Sequence, residues 1–153
     1  MTAGPVGNAV VFGLHWTPPD HDRRAPGRPA DLDAICELRG ESGQILEVVG
    51  PDRLRSINGS VVHTGDSRNG ASRWDDERIF VFLDAVPAPV HALVFVAASS
   101  GGEAFCDVPG ASCHISDAAS EERLVAVELT ALGAVTEHVV GSLRRTRRGW
   151  ELG

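Results

Sequence analysis

Apolar and polar residues alternate along most of this chain. In residues 8–16 (NAVVFGLHW), Val10, Phe12, Leu14 and Trp16 share one face, the period of two that marks a half-buried strand. Residues 31–39 (DLDAICELR) repeat it, with Leu32, Ala34, Cys36 and Leu38 inward and Asp31, Asp33 and Glu37 on the opposite face. In 78–83, Ile79, Val81 and Leu83 alternate with Arg78, Phe80 and Phe82. Residues 90–98 form an apolar run entered through the turn Pro87-Ala88-Pro89, as a fully buried strand would. Further strands are expected at Val61-Val62, at 44–49 and 111–116, at 123–129 and 135–145, and at 149–152.

Turn chemistry separates them. Gly40-Glu41-Ser42-Gly43 closes a hairpin, Asn58-Gly59 marks another turn, and Ser120-Glu121-Glu122 a third. Residues 17–30, with four prolines, read as an exposed loop, and 99–110 as a flexible connection. No stretch sustains the helical period, although 118–123 suits a short turn, and no internal repeat is present. Some ten short strands predict an all-β fold, a sandwich of two antiparallel sheets.

Composition narrows the function classes. A chain of 153 residues, 42% hydrophobic and 23% charged, suits a single domain spanning 1–153 with a proper core. The net charge of -7 argues against a nucleic-acid backbone as partner and is compatible with a bound cation. Residues 1–14 lack a basic start and a long apolar core, and no apolar run is long enough to span a bilayer, so a cytoplasmic protein is expected. Three cysteines agree with a reducing compartment. Cys36 falls on the inward face of its strand as a packed thiol; a disulfide or metal site built from Cys106, Cys113 and His114 is disfavoured.

One segment stands out from this patterning. In residues 61–77 (VVHTGDSRNGASRWDDE), Asp66 and the run Asp75-Asp76-Glu77 lie between two expected strands. Adjacent carboxylates repel, so such a loop is solvated, paired with arginine, or closed around a cation. Calcium fits, because it takes six to eight oxygens in flexible geometry, although the spacing is not that of an EF-hand. Taken alone, an acidic turn balanced by Arg68 and Arg73 is the plainer reading, and Asp31 and Asp33 on an outward face are ordinarily just solvated.

DLDAICEL (31–38), SVVHTGDSRNG (60–70) and WDDERIFVFLDAVPAPVHALVFV (74–96), followed by Gly141-Ser142-Leu143 and Arg148-Gly149-Trp150, together resemble the TerD family of tellurium-resistance and general stress proteins. The resemblance covers nearly the whole chain. It implies a β-sandwich with calcium-binding loops at one edge, ligated by Asp31, Asp33, Asp66, Asp75, Asp76 and Glu77, with Ser67 and Asn69 adding oxygens. It also implies a non-enzymatic role in resistance to tellurite or other stress, through protein partners near the membrane. Ser67, Asn69, Ala71, Ser72 and Trp74 depart from the family pattern, and Arg73 lowers the local negative charge. One ion or two thus remain open, as does the alternative of a metal-free protein-interaction module with a degenerate calcium site.

Little else carries chemistry. There is no G-x-S-x-G elbow, no phosphate-cradling loop, and no histidine signature beside Ser72 or Cys36. Asp75 with Asp33 is the one conceivable acid–base pair, and nothing suggests a substrate pocket, so neither an enzyme nor a small-molecule substrate is expected. Arg144-Arg145-Thr146-Arg147-Arg148 reads as a solvated hairpin tip that also guards an edge strand.

Overall fold

The computed structural model describes residues 6–17, 31–64 and 75–153. These form ten strands: β1 (Ala9–His15), β2 (Leu32–Arg39), β3 (Ile45–Val49), β4 (Val61–His63), β5 (Glu77–Phe82), β6 (Ala92–Ser99), β7 (Ser112–Asp117), β8 (Arg123–Glu128), β9 (Glu137–Thr146) and β10 (Gly149–Leu152). They pair as two five-stranded antiparallel sheets, ordered β4-β5-β1-β7-β8 and β10-β9-β6-β2-β3. The period-two alternation sets which side chains meet between them. Phe12, Leu14, Ile79, Val81 and Ile115 of the first sheet are buried with Leu32, Ala34, Leu38, Leu93 and Phe95 of the second. Phe12 and Phe95 cross the interface edge to face, with centroids 5.5 Å apart. Burying each large side chain of this kind contributes about 1.5–3 kcal/mol.

Two regions differ from expectation. Residues 99–110 are anchored: Phe105 and Val108 are fully buried, and the Phe105 N–H donates to the Val135 carbonyl at 2.8 Å. Glycine and serine dominate that stretch, but two apolar side chains suffice to pin it. In the arginine run, Arg144, Arg147 and Arg148 are exposed as expected, whereas Arg145 is structural. Its guanidinium lies 4.5 Å from the Trp150 ring and donates to the carbonyls of Val86, Pro87 and Val90 at 2.9–3.1 Å. The three cysteines are free thiols, Cys36 and Cys113 buried and Cys106 exposed. Burial raises Cys113 to about 12 and lifts Cys36 well above the ordinary thiol range.

The pairing register places four strand ends together. Leu14 near the end of β1 faces Glu77 at the start of β5, and His63 at the end of β4 faces Ile79. The start of β2 reaches the same end, where the Ala34 N–H donates to Glu77 Oε1.

Candidate metal centre

The site begins with β2. Ser100 donates its backbone N–H (2.9 Å) and its hydroxyl (3.0 Å) to the Asp31 carbonyl, which fixes the strand where it enters the sheet. Asp33, two residues on, is 7% exposed, so its carboxylate is not on a solvated outward face as the alternation alone implied. From the opposite sheet comes Glu77, fully buried at the first position of β5. Its Oε1 accepts the Ala34 N–H at 2.8 Å and lies 3.0 Å from His63 Nε2. An ionised carboxylate only accepts, so Nε2 carries the proton in that pair. Asp31, Asp33 and Glu77 each place one carboxylate oxygen within 4.8 Å of the others.

That spacing matches a hard cation. Calcium–oxygen distances of 2.3–2.6 Å keep two ligand oxygens within about 5 Å of each other. Three carboxylate oxygens with no sulfur or imidazole among them suit a hard cation such as calcium, magnesium or manganese better than zinc or copper.

The three consecutive acids part company. Asp76 turns back to β1: its Oδ2 accepts the Trp16 N–H at 3.0 Å and lies 2.9 Å from His15 Nδ1, and its own N–H donates to the Leu14 carbonyl at 2.7 Å. Asp75 turns to the outer face of the first sheet, where its Oδ2 takes His114 Nε2 at 2.9 Å and Arg78 Nε at 3.1 Å. Burial works to raise the Asp75 pKa, but His114 and Arg78 together outweigh it and hold the carboxyl below its ordinary value. Gly13 makes room for this pairing. A Cβ there would lie 2.3 Å from both Asp75 Oδ2 and His114 Nε2. Asp75 is thus held by His114 and Arg78, whereas Asp33 lies with Asp31 and Glu77. Asp66, Ser67 and Asn69 lie outside the described residues.

Each acid of the run thus has a histidine: His114 for Asp75, His15 for Asp76, His63 for Glu77. Sequence reasoning assigned none of them. A signal existed for His63, which shares the inward register of Val61 and is 3% exposed, so a polar partner is required.

Residues 2–153 match the TerD domain family. Among curated proteins, the chain is 37% identical over 145 residues to tellurium resistance protein TerZ of Serratia marcescens, covering 92% of this chain and 75% of that one. It is 31% identical over 150 residues to general stress protein 16U of Bacillus subtilis (strain 168), covering 93% and 76% respectively. Its fold is similar to the crystal structure of a Streptomyces coelicolor A3(2) homologue of telluride resistance protein TerD, with a TM-score of 0.81 at 23% identity, covering 95% of this chain and 86% of that one.

Proposed function

This chain belongs to the TerD family, and from that premise we propose that it is a calcium-binding, non-enzymatic protein of the tellurium-resistance and stress-response type. The observation that supports the reading is the convergence of Asp31, Asp33 and Glu77, drawn from both sheets, onto one oxygen-lined point. Glu77 is the best placed of them, since Ala34 and His63 hold Oε1. Asp66, Ser67 and Asn69 would complete the oxygen set from the connection between β4 and β5, with backbone carbonyls and water supplying the rest. Asp76 would support the site from behind by tying that connection to the end of β1.

Bound calcium supplies charge, not chemistry: it cancels the repulsion among the carboxylates and ties two sheets and a connection into one rim. A rim ordered in this way is a surface for a protein partner, and free thiols suit a cytoplasmic setting. Isothermal titration calorimetry of EDTA-treated protein tests the reading. A saturating calcium isotherm of one or two ions per chain, with magnesium far weaker, supports it; no heat with calcium refutes it.

A further inference from the structure

The outer face of the first sheet carries a cleft of about 470 Å³, well within the size range of small-ligand sites. Its floor is apolar: Val11 and Phe80, register partners on β1 and β5. Its walls are polar, with His15, Asp75, Arg78, His114 and Ser112 on the sheet side and Glu121 and Arg123 on the β7–β8 side.

Two features of the walls narrow the occupant. Arginines and carboxylates are equal in number, and Asp75 is already paired with Arg78, so the lining favours a ligand with no net charge. Donors and acceptors are also both present. Asp75 receives His114 and Arg78 on Oδ2 alone, which leaves Oδ1 to accept, while the Arg78 terminal nitrogens and the Ser112 hydroxyl remain to donate. A ligand that meets them carries no net charge and several groups able both to give and to take hydrogen bonds. It must also present a C–H face to Phe80 and Val11. Ring polyols meet all three conditions.

The wall is also preorganised. Ser116 Oγ lies 2.7 Å from His114 Nδ1, so a relay runs from Ser116 through His114 to Asp75 and on to Arg78. With Nε2 donating to Asp75, Nδ1 accepts from the Ser116 hydroxyl, and the imidazole cannot rotate without breaking both bonds. Gly13, at the centre of the sheet, keeps the space for this network. Rigid polar groups around an apolar floor bind a small ligand without an ordering penalty.

We propose that this cleft is a binding site for a neutral sugar, separate from the proposed cation site at the strand ends. The test is NMR of the histidine ring C–H signals of the full chain, titrated with D-glucose, D-galactose, D-mannose and N-acetyl-D-glucosamine, and with inorganic phosphate as the charged comparison. Saturable shifts of His15 and His114 with at least one sugar are expected, while His138, on β9 of the other sheet, stays still. Arg78→Gln should weaken that sugar roughly tenfold or more, the loss of a hydrogen bond from a charged group. Arg123→Gln, at an exposed rim position that does not threaten the fold, should weaken it as well. If no sugar moves His15 and His114, or if phosphate saturates them and the sugars do not, the proposal is overturned.

Discussion

His63 and Glu77 meet at 3.0 Å with neither side chain exposed, a polar pair sealed at the edge of the sandwich. The pair aims one acidic residue across the interface, and its removal should be felt twice. His63→Leu leaves a buried acceptor short of a donor and is expected to destabilise the protein by about 1–3 kcal/mol. It should also weaken calcium binding, because Glu77 is no longer oriented. Urea denaturation in EDTA measures the first effect and calorimetry the second; unchanged calcium affinity would show that the histidine does not position Glu77.

Calcium should raise thermal stability. Binding to the folded form alone adds RT ln(1 + [L]/Kd), about 2.7 kcal/mol at a hundredfold excess over Kd. EDTA is expected to lower the melting temperature and excess calcium to restore it, with Asp33→Asn blunting the response. Asp75→Asn should leave most of that response intact, since Asp75 faces away from the trio.

Asp75 should make stability acid-sensitive. Its folded pKa lies below its unfolded value of about 3.9, so its contribution is present above that pH and is lost as pH falls through the folded pKa. Denaturant midpoints measured in EDTA between about pH 5 and pH 2 should fall with acidification. Asp75→Asn should flatten that slope. An identical slope in the variant would mean the pairing with His114 and Arg78 contributes nothing in solution.

Gly13→Ala is a small change in a crowded place. The new methyl would lie 2.3 Å from Asp75 Oδ2 and from His114 Nε2, so one of the two must move. A loss of about 1–3 kcal/mol is expected from overpacking. The acid dependence attributed to Asp75 should shrink with it, which a change in backbone propensity alone would not produce.

Arg145 ties β9 to the turn that precedes β6. Arg145→Lys keeps the charge but loses the planar fork that stacks on Trp150 while reaching three carbonyls. A loss of about 2 kcal/mol is expected, with a change in Trp fluorescence, where Arg147→Lys should be silent.

Period-two patterning made the strands legible before any coordinates. Leu32, Ala34, Cys36 and Leu38 all face inward as the alternation requires, because a single-residue slip would turn the whole set to water. The acidic run was equally legible, as were Asp31 and Asp33, since composition and local spacing are written in the chain. What the pattern did not contain is where each carboxylate points. Asp75 and Glu77, two apart, would share a face in a continued strand. Asp75 instead precedes the first residue of β5, is freed from the pleat, and turns outward.

Its direction, like those of Asp76 and Glu77, is set by partners far along the chain: His114 lies 39 residues away, the Trp16 amide 60, and the Ala34 amide 43. Such partners are brought near only when the sheets close, and the burial that closure imposes makes each hydrogen bond obligatory. The sequence alone thus determined the strands, the core and the stock of acidic groups. Tertiary structure decided which of those groups gather at one point and which are drawn away by a histidine.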